Sequence, residues 1–245
     1  MNNLGENASC AESNVVGRAK MGDVLEVIDR QRALFCEHGF LKYLEGEGTI
    51  EQVRAMVPRM AFYVLCFQDI LRLARKWCTE PELKAILRTL ELEDKGHDAW
   101  YLADLERLGI PCSVNQLFSA DHEVARDTAF ALVSEVLGAP SDHARLAVAQ
   151  CLEALASEFF ERMIGMLARL GHADGLEFFG RKHQLIESSH KALADDAQEK
   201  IAAIEVPGPA LAGTLAAVQR TFQAMTLLGD DLEASLRSYR TAPKT

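Results

Sequence analysis

Apolar residues recur every three to four positions along most of this chain. No stretch alternates strictly between apolar and polar residues between hairpin turns, so the pattern predicts helices and requires no strands. A first helix is predicted from Val24 to about Leu44, stopped by Gly46 and Gly48. Thr49-Ile-Glu-Gln52 has the form of a capping box and opens a helix running to about Lys76, bent at Pro58. Thr79-Glu-Pro-Glu82 has the same form and opens a helix that ends at Gly109, with Pro111 just beyond. Further helices are expected at about Asp121 to Leu137, Ser141 to Leu170, Gly175 to Ile201 and Ala210 to Tyr239. With no internal repeat and no interdomain linker, these elements, about seven helices, should share one core in a single all-α domain over residues 23–240. The polar residues 1–22 are expected to be disordered.

Composition narrows the partners. A chain of 245 residues that is 49% hydrophobic and 25% charged suits one large core. The formal charge of −10 argues against a nucleic acid or an anionic membrane as partner and favours a small molecule or a protein. No apolar run approaches the roughly 18 to 20 residues that a membrane-spanning helix needs. The six cysteines form no CxxC pair, and the polar start has no secretory signal pattern, so a cytoplasmic location with reduced thiols is expected.

Candidate chemistry emerges when helix faces are drawn at 100° per residue. On the third helix, His97 lies among Leu83, Ile86, Leu90, Tyr101 and Leu108, flanked by Glu93 and Asp94. On the fifth, Glu153 falls inside the arc of Leu146, Ala149, Phe160, Ile164 and Leu167. On the sixth, His183, Glu187 and His190 share a face with Leu176, Phe179, Ile186, Ala194 and Ile201. An unpartnered buried carboxylate costs several kcal/mol, so this convergence calls for compensation. A metal is the economical compensator. Carboxylates with imidazoles suit iron or manganese, and Glu187-x-x-His190 reproduces the unit with which helical bundles hold paired metals, Asp94-x-x-His97 being a near copy.

Plainer readings stand beside this one. A histidine on an apolar face is commonly a hydrogen-bonded core residue, and Gln150, Glu153 and Ser157 would also form a polar stripe between packed helices. His38 reads as a core histidine, and His122, His143 and His172, near helix ends, are expected at the surface. The segment MAFYVLCFQDIL is apolar almost all round, which makes Gln68 and Asp69 buried or pocket-facing, in contact with substrate or in structural hydrogen bonds.

EHGFLKYLEGEGTIEQVR, FQDILRLAR and FFGRKHQLIESSH together resemble the heme-oxygenase-like superfamily, which includes thiaminase-II proteins, pyrroloquinoline-quinone synthases and diiron oxidases and oxygenases. The resemblance runs from about Arg32 to Tyr239, and its most specific part is the sixth-helix motif of the diiron members. It implies His183, Glu187, His190, His97 and Glu153 as ligands to Fe(II), two ions in the diiron members, with O2 as co-substrate. It further implies a homodimer that oxidises a small organic, amino-acid- or fatty-acid-derived substrate. Diiron members place a Glu seven residues before the third-helix histidine, where this chain has Leu90; Glu93 or Asp94 would supply the carboxylate, or the site holds fewer metals. The thiaminase-like branch implies instead a metal-free aminopyrimidine hydrolase or C–N lyase. Asp69 matches its Gln-Asp motif, and Cys151 is the candidate nucleophile by position, although it projects opposite Glu153 and so reads first as a structural cysteine at the edge of the core. A non-catalytic helical binding protein is the third reading.

Overall fold

A computed structural model describes residues 19–46, 48–181, 183 and 198–241. Its longest central element is α9 (Asp142–Arg169), capped by the Ser141 hydroxyl, which accepts from the Ala144 N–H at 3.1 Å, and followed by Gly171 in a left-handed conformation (φ 76°). Around α9 pack α1 (Met21–Cys36), α2 (Gly39–Glu45), α4 (Ala61–Trp77), α5 (Pro81–Glu93), α8 (Glu123–Gly138) and the long C-terminal α10 (Gly208–Thr241). The remaining elements are α3 (Ile50–Met56), α6 (His97–Arg107), the four-residue α7 (Val114–Leu117), two 3₁₀ turns and a helical stretch at 198–203. Among the described residues, the architecture is all-helical apart from one short antiparallel pairing, β1 (Ala19–Lys20) with β2 (Glu205–Val206). Residues 19–22 therefore belong to the fold, which corrects the expected start of the domain; residues 1–18 lie outside the described residues.

Local chemistry explains several boundaries. Thr49 accepts from the Gln52 N–H at 3.3 Å while Gln52 Oε1 accepts from the Thr49 N–H at 2.9 Å, the reciprocal box expected from sequence. A Thr49→Ala variant is expected to lose about 1 kcal/mol of stability, measured by urea unfolding; an unchanged midpoint would show that the cap contributes nothing. Pro58 starts a 3₁₀ turn (Val57–Met60) between α3 and α4.

Four boundaries differ from expectation. The first helix breaks at His38, whose Nδ1 accepts from the Phe40 N–H at 3.1 Å and so caps α2. The helix expected to run to Gly109 breaks at Gly96 (φ 95°), separating α5 from α6. Thr79 does not cap α5, whose N-cap is Glu80; its N–H and its hydroxyl both donate to Asp142 at 2.7 Å. Residues 176–180 form turns, where the sequence pattern expected the sixth helix to have begun. His122 and His143 are buried rather than at the surface; His143 Nε2 donates to the Glu205 carbonyl at 3.0 Å and ties the start of α9 to β2.

Candidate metal and substrate site

The break at Gly96 places His97 at the first position of α6 and Asp94 at the C-terminal cap of α5, so the two side chains meet across a turn. His97 Nδ1 lies 3.0 Å from Asp94 Oδ1, with both side chains 11% exposed. Burial raises the Asp94 carboxyl above its ordinary value, and the His97 hydrogen bond and charge act against that rise. His183 is fully buried and donates from Nδ1 to the Phe178 carbonyl at 2.7 Å. Its ring stands 4.5 Å from that of His97, between centroids. In both imidazoles an oxygen acceptor holds the Nδ1 proton, leaving Nε2 as the acceptor nitrogen. Ligating histidines are oriented in this way.

Asp94, His97 and His183 line a cavity of about 590 Å³, as do Glu93, Gln150 and Glu153, while the rest of the lining is mostly apolar, including Ile28 on α1, Val64 and Phe67 on α4, and Met225 and Leu228 on α10. On α9 the residues Gln150, Glu153, Ala154, Ser157 and Phe160 lie at offsets of three, four, seven and ten, a single helical face turned into the cavity. Gln150 is also held by Gln198, whose Nε2 donates at 3.1 Å. Tyr63 is buried here, and desolvation, reinforced by the Asp94 and Glu153 carboxylates, holds its phenol protonated far above the ordinary range. Phe160 stands edge-on to His183 at 3.9 Å, and Trp100 lies 5.0 Å from His97. The rings shield the imidazole pair from solvent.

The structure thus places His97, Glu153, His183, Glu93 and Asp94 on the lining of one cavity, where His97 meets both Asp94 and His183. Glu187 and His190 lie outside the described residues. Among the described residues, no group of three or more His, Cys, Asp or Glu side chains is disposed to hold a metal ion. The donor chemistry fits a divalent iron-group metal, but the described residues do not complete its coordination.

Two expectations are corrected. Asp69 is exposed, its carboxylate receiving the Arg72 guanidinium at 2.9 Å, and neither Asp69 nor Gln68 lines the cavity. Asp69 falls on the side of α4 away from Val64 and Phe67, while Gln68 is part-buried between the two sides. Cys151 is fully buried outside the cavity lining, and desolvation pushes its thiol far above the ordinary range, which disfavours the thiolate a nucleophile needs. Sequence reasoning missed Tyr63, Trp100, Phe178 and Asp104. Asp104 follows His97 by seven residues and so shares its helical face, a signal that was available.

No protein-family model matches the chain, and no curated protein matches it. Among the described residues, no helix is long and apolar enough to cross a membrane.

Proposed function

We propose that this chain is a non-heme iron oxidase or oxygenase of heme-oxygenase-like architecture, which uses O2 to oxidise a small, largely apolar organic substrate. The observation that carries the reading is the His97–His183 pair, each Nδ1 proton held by an oxygen acceptor, in a largely apolar cavity whose lining also includes Glu93 and Glu153. Two imidazoles and two carboxylates are the donor types that iron takes in helical proteins, and Glu187 and His190 would extend the set to hold a second Fe(II). Asp94 is assigned to orienting His97 rather than to binding metal. When bound, the iron supplies reduction of O2. The chain's own residues do the rest. The walls at Ile28, Val64 and Leu228 bind the apolar body of the substrate, and Gln150 and Ser157 offer hydrogen bonds to its polar atoms. Phe160 and Phe178 exclude water from His183, and Tyr63, on the cavity lining, keeps its proton. A cytoplasmic homodimer belongs to the same reading.

The test is anaerobic purification with iron supplementation, followed by metal analysis and absorption spectroscopy during O2 addition. Stoichiometric iron and an oxygen-dependent chromophore are expected in the unmodified chain. Both should vanish in His183→Ala and in Glu187→Ala. Failure of the unmodified protein to retain iron would overturn the oxidase reading. If it nonetheless bound apolar ligands, the cavity would serve a binding protein. Metal content unchanged in both variants would mean that the site lies elsewhere.

A further inference from the structure

The His183 imidazole owes its orientation to the Phe178 carbonyl, and that carbonyl belongs to a turn rather than to a helix. What fixes the turn is a carboxylate on α6. Asp104 is fully buried, and its two oxygens accept from the Glu177 N–H at 2.9 and 3.0 Å and from the Phe179 N–H at 2.9 Å. Arg107, half-exposed, adds a contact at 3.1 Å from outside. The two amides that flank Phe178 are therefore both tied to one anion, and because the Phe179 N–H shares a planar peptide unit with the Phe178 carbonyl, that residue has little freedom to rotate. Its carbonyl is left for His183 Nδ1 at 2.7 Å, and its side chain lines the cavity 5.5 Å from the His183 ring. The turn is also too tight for a side chain at its far end, since a Cβ on Gly180 would overlap the Leu176 carbonyl. A buried carboxylate with charge-assisted bonds to two amides is rigid, and rigidity passes along Asp104, the 177–179 backbone and the Phe178 carbonyl to the imidazole.

We propose that Asp104 is a positioning residue for the site: by clamping the amides on either side of Phe178, it fixes the tautomer and direction of His183. The proposal rests on the reading of His183 as a metal ligand only for its functional consequence. The clamp itself is a statement about the imidazole.

The experiment is nitrogen NMR of the histidine side chains in metal-free full-length protein, with Fe(II) titration under anaerobic conditions. In the unmodified protein, His183 is expected in a single Nδ1–H tautomer. In Asp104→Asn, the NH2 group replaces one of the two accepting oxygens whichever way the carboxamide turns and meets an amide donor there, so the clamp loses its charge and at least one bond, and the tautomer signal should become mixed or exchange-broadened. Fe(II) affinity should fall about 10- to 100-fold, the range found when partners of ligating histidines are removed. Arg107→Gln, which leaves both amide bonds in place, should change neither. A folded Asp104→Asn protein that keeps the single tautomer overturns the proposal. If the unmodified protein binds no iron, the functional reading fails while the tautomer comparison still decides the role of Asp104. Should Asp104→Asn not fold, hydrogen exchange in the unmodified protein decides. The Glu177 and Phe179 amides and the His183 Nδ1–H are expected to open as one unit with equal protection. A His183 proton that exchanges freely while both amides stay protected overturns the clamp.

Discussion

An Asp142→Ala variant is expected to lose about 3 kcal/mol of folding stability at neutral pH, the low end of what breaking a buried ion pair costs. With a chain of this size, that corresponds to a melting temperature lower by roughly 6 to 12 °C. Asp142 opens α9 with its carboxylate only 5% exposed. Oδ2 accepts from the Thr79 N–H at 2.7 Å, the Thr79 hydroxyl at 2.7 Å and the Glu80 N–H at 2.8 Å, while Oδ1 receives Arg145 at 2.7 Å. One side chain therefore joins the α4–α5 connection to the central helix. Alanine would leave those donors and the largely buried Arg145 without it. Burial alone would raise this carboxyl, but the bonds from Thr79, Glu80 and Arg145 outweigh it and hold the value at about 2 against an ordinary 3.8. Because the folded value lies below the unfolded one, the contribution is complete above about pH 4 and is lost as pH falls from there toward 2; that gap is worth roughly 2 kcal/mol. Urea unfolding of both proteins across this range should show the difference shrinking on acidification. A difference that stays constant down to the folded value would mean that the ionised carboxylate contributes nothing.

The same junction shows where sequence was informative and where it was not. Thr49 and Thr79 carry the same local signature, a hydroxyl followed three residues later by Gln or Glu. Only Thr49 forms the box, because Thr79 has a stronger acceptor in Asp142, a residue 63 positions away that no local pattern can bring into view. Gly171 was legible as a helix stop because a left-handed glycine there is followed by turns. Gly96 was not, since a new helix begins at once and the apolar period continues across the break. The consequence reaches the site. Counting seven residues back from His97 to Leu90 assumes one helix, whereas the break lets Asp94 turn onto His97 and leaves Glu93 as a wall of the cavity. His97 and Glu153 were legible as polar residues on apolar faces, and both line the cavity. Asp69 was misjudged because an almost uniformly apolar segment hides which flank meets solvent; the Asp69–Arg72 pair marks that flank, three residues apart.

Replacing His97 with alanine is expected to empty the proposed metal site and, in metal-free protein, to cost about 3 kcal/mol, since the Asp94 carboxylate would remain buried without its partner. The pH dependence runs opposite to that of Asp142. Burial already raises Asp94, and removing the His97 hydrogen bond and charge, which lower it, raises it further. A carboxyl whose folded value exceeds its unfolded value binds its proton more tightly when folded. The penalty in His97→Ala is therefore absent below about pH 4, grows as pH rises through the unfolded value, and is complete above the folded value. Asp94→Asn in the His97→Ala background removes the buried charge and should recover much of the loss, giving a coupling energy of about 1 to 3 kcal/mol in a double-mutant cycle. Asp94→Asn alone keeps His97 as a ligand and should lower Fe(II) affinity about 10- to 100-fold while leaving a full site at saturation. Urea unfolding at several pH values and anaerobic iron titration separate these effects. Additive single effects in the cycle would show that the pair is not coupled, and iron uptake by His97→Ala equal to that of the unmodified protein would remove His97 from the ligand set.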